Sequence, residues 1–342
     1  MQKTHPFYQE DIRQILQVER IEQLHGKRFL ITGATGLIGV MLIDALMALG
    51  DVQVYAVGRN KERARTRLGE YFANPHFVFV EQDVCQPFAE TLQVDYVIPG
   101  ASNTHPMAYS QYPVETMLIN LKGAEHALEL AHRCGATVLY LSTVEIYGNA
   151  MGEELFAEDY TGQLNLATSR SCYTESKRAC EALCQSYLAE KGVQVKIVRL
   201  SRIFGPTLLD TDSKASSQFI RRAIQGEDIV LKSEGNQYFS YTYVADAVAA
   251  LIYVLLHGHM GEAYNISCES CNVHLKEFAR LCAAYNGRQV VFDLPSETER
   301  KGFSIATQAI LDNTKLKQLG FHPHYTIENA IRRTIEILKS SL

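Results

Sequence analysis

The sequence has 342 residues, 46% hydrophobic and 21% charged, with a net charge of −5. That is enough apolar material for two lobes or one large α/β unit, and it leaves no broad basic field for a nucleic-acid polymer. No run of about 18 apolar residues is present to span a membrane, and Met1-Gln2-Lys3-Thr4-His5-Pro6 lacks the apolar core of a signal peptide. The eight cysteines are scattered, which predicts buried thiols in a reducing cytosol. Cys268-Glu269-Ser270-Cys271 lacks the second pair, or the histidines, that zinc requires. No metal is expected.

In chain order, Ile12, Ile15, Leu16, Ile21 and Leu24 predict an amphipathic helix from about Tyr8 to Leu24. Arg28 to Thr32 then reads as a strand, Gly33 to Gly39 as a glycine-rich turn, and the stretch to about Leu49 as a helix. Further strands are expected at Val52–Val57, Phe77–Val80 and Tyr96–Pro99. A helix from Pro113 to about Cys134 precedes a strand at Thr137–Leu141, and a helix from about Tyr173 to Glu190 precedes one at Gln194–Leu200. Continuously apolar strands alternating with helices predict a doubly wound parallel sheet buried on both faces. Beyond Ser201 the rhythm is irregular, with helices expected near Ser217–Gln225, Val244–His257 and Leu275–Asn286. The expected division is an extension over 1–25, a dinucleotide domain over 26–200 and a smaller lobe over 201–342. Part of 237–257 is expected to return to the dinucleotide domain.

Gly33, Gly36 and Gly39 follow a buried strand and open a helix. The first turn needs a residue without Cβ, the backbone must approach a pyrophosphate, and the helix N-terminus offers free N–H groups to that anion. In a βαβ setting the triplet points to a dinucleotide. The second strand ends Val57-Gly58-Arg59-Asn60, without the carboxylate that would hold the ribose of NAD. Arg59 is either a 2′-phosphate contact or a solvated surface cation, so NADP stands beside NAD. Asp83-Val84, after the third strand, is placed to cover the adenine.

Tyr173 and Lys177 lie four apart on a predicted helix and share one face, and Ser142-Thr143 ends a strand before them. A phenol with a pKa near 10 is a poor base at neutral pH. Bringing it to about 7 takes roughly 4 kcal/mol of preferential phenolate stabilisation. Lys177 and a nicotinamide cation in a desolvated pocket are the expected sources.

Gly33-x-x-Gly36-x-x-Gly39, Ser142-Thr143-Val144-Glu145-Ile146-Tyr147-Gly148, Tyr173-x-x-x-Lys177, Arg199-x-x-x-x-x-Gly205-Pro206, Tyr243-Val244-x-Asp246 and Tyr264-Asn265-Ile266 occur in that order. Together they resemble the NAD-dependent epimerase/dehydratase family of extended short-chain dehydrogenases over nearly the whole chain. The resemblance implies a Rossmann-type domain with a C-terminal nucleotide-sugar lobe, dimerised through the helices Pro113–Cys134 and Tyr173–Glu190. It implies catalysis by Thr143, Glu145, Tyr173 and Lys177. Cofactor contacts are implied for Gly33, Thr35, Gly36, Leu37, Ile38, Gly39, Arg59, Asp83, Val84, Ala101, Ser142, Tyr173 and Lys177. Substrate contacts are implied for Asn103, Asn120, Thr143, Arg202 and Lys232.

Within that family the residues after the catalytic Ser/Thr sort the reactions: Asp-Glu in 4,6-dehydratases, Ser-Glu in UDP-glucuronate decarboxylases, and usually no carboxylate in 4-epimerases. Val144-Glu145 is closest to the decarboxylase pattern, because valine cannot donate the proton that elimination of water requires. Two arginines common in relatives are absent, one replaced by Phe239 and one missing near Ala309–Asp312, while Arg202 stands where asparagine is usual. Arg202, with Lys232, Arg300 or Lys301, is the expected replacement for the lost anion contact. The alternatives are a 4-epimerase or 4,6-dehydratase, an NADPH-dependent reductase, and a non-enzymatic dinucleotide-binding regulator. Retention of both Tyr173 and Lys177 argues against the last.

Overall fold

The computed structural model describes residues 3–104, 106–150, 155–293 and 308–340. Its frame is laid down by β1 (Arg28–Thr32), β2 (Gln53–Gly58), β3 (Phe77–Glu81), β4 (Tyr96–Pro99), β5 (Thr137–Thr143) and β6 (Gln194–Leu200). The chain then leaves through β7 (Arg202–Phe204), β8 (Ile229–Leu231) and β9 (Tyr238–Tyr243), and returns with β10 (Ala263–Ile266) beside β6. The resulting seven-stranded sheet runs β10-β6-β5-β4-β1-β2-β3 and is parallel throughout. The order reverses between β1 and β4, which opens a crevice beyond their carboxyl ends.

Alternate residues of each strand feed two apolar layers. Phe29, Ile31, Val54, Ile98, Leu139 and Val198 face one side, covered by α1 (Pro6–Ile15), α2 (Leu37–Leu49) and, from further along the chain, the helix Val244–His257. Leu30, Val97, Val138, Tyr140 and Ile197 face the other. α3 (Lys61–Leu68) joins the first layer through Leu68, while the second is covered by two long helices, α5 (Pro113–Cys134) and α6 (Ser171–Lys191), which pack against each other, with α4 (Pro106–Gln111) against α5. Burial on both faces explains why the strands read as unbroken apolar runs.

Apart from the helix Val244–His257 (α8), which packs on the main sheet, the smaller lobe holds α7 (Ala215–Gln225), β11 (Asn272–His274), α9 (Leu275–Ala284), β12 (Val290–Phe292) and β13 (Gln308–Ala309). Strands β7, β11 and β13 assemble around β9, and β12 pairs with β8. Arg199, near the end of β6, ties that strand to α6 and to the segment after β5. It pairs with Glu181 of α6 at 2.8 Å and donates to the Tyr147 hydroxyl at 2.9 Å. Tyr147 in turn donates to Asn265 at 2.6 Å. Three of the sequence motifs are therefore one buried brace.

The N-terminal segment departs from the single helix expected over Tyr8–Leu24. After α1 the chain turns, Arg20 takes a φ of 62°, and Ile21–Leu24 forms a 3-10 turn. Ile15, Val18, Ile21 and Leu24 are all buried at three-residue spacing. An α-helix rotates such a series off its contact face by about 60° per step, whereas three residues complete a 3-10 turn. The segment is locked by buried Asp11, whose carboxylate accepts from Tyr243 (2.5 Å), Tyr325 (2.8 Å) and Arg333 Nη2 (2.7 Å). Burial pushes this carboxyl upward and the three donors oppose it, so removing any of them exposes the desolvation cost.

Candidate active site

Gly33, Gly36 and Gly39 lie in the turn from β1 into α2, beside the switch-point crevice. Gly33 has a φ of 68°, and a Cβ there would meet Gly100 O, just past β4, at 2.5 Å. A Cβ on Gly39 would meet Gly33 O at 2.5 Å, so the helix closes tightly on the strand. Gly36 differs: its only near neighbour is Gly33 O at 3.1 Å, leaving the outer side of the turn open. Gly36 is also the N-cap of α2, and no side chain caps that end. The first N–H groups of α2, from Leu37 and Ile38 onward, are thus available to an anion, with Thr35 preceding them in the loop. The turn fits a dinucleotide pyrophosphate.

Around the crevice, Ala101 N–H donates to Thr32 Oγ1 at 3.0 Å. Asp83 accepts from Cys85 N–H at 2.9 Å, and Val84 is buried under Gly123 of α5. Ser142 Oγ is buried without a hydrogen-bond partner among the described residues, a donor left for a ligand. Arg59 is exposed and ion-paired with Glu115 at 3.1 Å. The pairing already answers its charge with a carboxylate, which disfavours it as a 2′-phosphate contact.

The chemistry-bearing groups converge at the carboxyl end of β5. Thr143 ends the strand, and its hydroxyl accepts from Glu145 N–H at 3.3 Å and partners the Tyr173 phenol. Burial raises the phenol well above its ordinary value; Thr143 opposes that rise, while Glu145 and Tyr109 add to it. Lys177 Nζ donates to Leu141 O at 2.8 Å and sits 5.0 Å from the Tyr140 ring centre. Burial lowers its pKa. The ammonium is thus anchored to the β5 backbone through one of its donors, and at the phenol the opposition to burial comes from Thr143. Asn120 lies behind α6 with Nδ2 donating to Ser176 at 2.8 Å, and Ser176 donates to Tyr173 O at 2.9 Å. Asn120 thus supports the tyrosine's turn. Asn103 donates to Thr116 at 3.1 Å, at the start of α5.

Arg202, on β7, reaches this group: its Nη2 lies 3.7 Å from Glu145 Oε1. Lys232 does not join it, pairing instead with Asp293 at 3.9 Å beside the β8–β12 sheet. Arg300 and Lys301 lie outside the described residues. Three further contributors were not singled out from the sequence. Tyr109 of α4 stacks on Tyr173 with ring centres 5.5 Å apart, and burial raises its pKa to about 12. Arg178 holds the loop after β5 by donating to Ile146 O at 2.6 Å and Gly162 O at 2.9 Å. Thr207 donates to Leu37 O at 2.7 Å, joining the lobe to the first turn of α2. No local signal marks Tyr109, because α4 is short and its apolar pattern has no period. Among the described residues no cluster of three or more His, Cys, Asp or Glu side chains could hold a metal. No described helix is long and apolar enough to cross a membrane.

Comparison with known proteins places this geometry. The chain is 29% identical over 329 residues to UDP-glucuronic acid decarboxylase 1 of Xenopus tropicalis, spanning 95% of this chain and 75% of that protein. It is 34% identical over 236 residues to UDP-glucuronic acid decarboxylase 2 of Arabidopsis thaliana, 69% of this chain and 52% of that one. Among solved structures, a UDP-glucuronic acid 4-epimerase from Bacillus cereus, with UDP-glucuronic acid and NAD, superposes with a TM-score of 0.80 at 19% identity, covering 92% of this chain and 100% of that one. A dTDP-glucose 4,6-dehydratase from Streptomyces venezuelae gives 0.79 at 22%, covering 92% and 97%. These two likenesses establish the Rossmann-type fold. The family model matches residues 29–267, from β1 through β10, taking in the phosphate turn, the Thr143–Tyr173–Lys177 group and the Arg199 brace. The chain belongs to the NAD dependent epimerase/dehydratase family.

Proposed function

We propose that this chain is a nucleotide-sugar enzyme that oxidises carbon 4 of the sugar transiently, and that the reaction its site fits best is decarboxylation of UDP-glucuronate. The observation that carries the reading is the Tyr173 phenol, partnered by Thr143 at the carboxyl end of β5, the same edge of the parallel sheet at which β1 runs into the glycine turn. Gly33, Gly36, Gly39 and the α2 N-terminus would hold the pyrophosphate of NAD, with Ser142 Oγ as a free polar contact. When bound, NAD supplies the hydride acceptor and a positive charge near the phenol. Tyr173 then takes the proton of the carbon-4 hydroxyl, and Thr143 holds that oxygen. The ion pair of Arg59 with Glu115 favours NAD over NADP.

A ketone at carbon 4 makes a uronic acid a β-keto acid. The bond from carbon 5 to the carboxylate breaks, its electron pair moves toward the ketone oxygen, and carbon dioxide leaves. Glu145 would return a proton to carbon 5. The hydride then goes back to carbon 4 and Tyr173 returns the proton to its oxygen, which leaves a UDP-pentose with the cofactor oxidised again. Val144 is buried and apolar, so nothing at that position can protonate a leaving hydroxyl on carbon 6, which favours decarboxylation over dehydration. The names of the Xenopus and Arabidopsis relatives support the same choice. We further propose a cytoplasmic homodimer formed through α5 and α6, consistent with exposed Val114, Met117 and Leu118 on α5. Residues 201–342 would contribute most of the sugar side.

The test is product analysis by NMR after incubating the NAD-loaded protein with UDP-glucuronate. The expected result is release of carbon dioxide and a UDP-pentose. A carbon-4 epimer with the carboxylate retained would identify an epimerase. No turnover of UDP-glucuronate, with a 4-keto-6-deoxy product from a neutral nucleotide-sugar, would identify a dehydratase.

A further inference from the structure

Arg202 is an unusually prepared guanidinium. It opens β7, which pairs with β9 in the register Arg202↔Tyr241. Phe239, two residues before Tyr241 and so on the same face of β9, lies under it, with the guanidinium carbon 3.6 Å from the ring centre. Stacking covers one flat face and leaves the N–H fork free in its own plane. The fork is not satisfied. Nη2 lies 3.7 Å from Glu145, too far for a hydrogen bond, and Nη1 is buried without a partner among the described residues. A buried cationic donor left open costs more than a neutral one, so the site is built for an acceptor that arrives with a ligand.

The position says which part of the ligand that is. Arg202 acts electrostatically on Tyr109 and Tyr241, and Glu145 acts on Tyr109 and Tyr173. Arg202 therefore sits with Glu145 beside the Tyr109–Tyr173 stack, where the sugar would react. A planar, singly charged acceptor suits a fork with one open edge, and Glu145 nearby penalises a doubly charged phosphate more than a carboxylate.

We propose that Arg202, braced on Phe239, is the specificity-determining receptor for a carboxylate carried on the substrate's sugar ring. The inference rests on the nucleotide-sugar reading and deepens it, since it makes a uronic acid the substrate class. Arg202 then lies between the incoming carboxylate and Glu145, offsetting their mutual repulsion.

The test is calorimetric titration of the NAD-loaded protein with UDP-glucuronate, UDP-glucose and UDP. The unaltered protein is expected to bind the uronate on the order of 10–100-fold more tightly than the neutral sugar, the range for hydrogen bonds to a charged group. Arg202→Met should abolish that preference and leave UDP affinity unchanged, which also reports an intact fold. Phe239→Leu keeps the charge and removes the brace, and should reduce the preference by about 2–5-fold. It carries the test should Arg202→Met fail to fold. Preference retained in Arg202→Met, or unchanged in Phe239→Leu, overturns the role of Arg202 while leaving a uronate enzyme in place. No uronate preference in the unaltered protein overturns the proposal outright. Preference lost in Arg202→Met, in a protein that releases no carbon dioxide, upholds the receptor and removes the decarboxylase.

Discussion

Tyr173→Phe is expected to lower turnover by about 10²–10⁴-fold, the usual contribution of a positioned proton-transfer group, with NAD and nucleotide-sugar still bound. The substitution removes one oxygen. The ring remains, so the stack on Tyr109 and the helical turn around Ser176 persist. Loss confined to the chemical step is the signature, because the hydroxyl is needed only as the carbon-4 proton departs. Burial holds the phenol high, and the positive charge of bound NAD would favour its ionised form. Activity should therefore depend steeply on NAD occupancy. Turnover of Tyr173→Phe within a few-fold of the unaltered protein would remove Tyr173 from the mechanism.

Gly33→Ala is expected to cost about 2–5 kcal/mol of stability and to abolish NAD retention. Two effects add: an L-residue in the left-handed region costs roughly 1–2 kcal/mol, and overpacking costs about 1–3 kcal/mol. The overpacking is severe here because the new Cβ meets backbone, Gly100 O at 2.5 Å and Gly100 C at 2.7 Å. Backbone cannot swing aside as a side chain can, so β1 and β4 would have to separate at the crevice. Gly36→Ala is the informative companion. Its backbone φ of −81° suits any residue and its Cβ is crowded only at 3.1 Å. It should leave the melting temperature nearly unchanged and weaken NAD alone. Thermal melts with and without added NAD separate the two. Equal destabilisation by both would mean that the open side of the turn is not a cofactor surface.

The parallel sheet was legible because buried strands such as β5 and β6 are short apolar runs set between long periodic helices. The glycine turn and the Tyr173–Lys177 pair were legible because their spacing is local. Interactions between segments far apart in the chain were not. Nothing in the sequence pairs Asp11 with Arg333, or Arg202 with Phe239, since those contacts exist only once the lobe folds back. The seventh strand, Ala263–Ile266, was present as a motif but lacked a signal for returning to the sheet beside β6. The C-terminal helix Ile327–Lys339 carried a readable signal in Ile327, Ile331 and Ile335 at four-residue spacing, all buried. Arg59 shows the opposite limit: residue type suggested a phosphate contact, and only the fold supplied Glu115 to answer its charge.

Transient oxidation at carbon 4 can be observed directly. The NAD-loaded protein is mixed rapidly with substrate carrying hydrogen or deuterium at that carbon, and reduced nicotinamide is followed by its absorbance. The expected trace rises and falls within one turnover, rises more slowly with deuterium, and ends with the cofactor oxidised. Turnover without any reduced cofactor and without a deuterium effect would contradict the proposed chemistry.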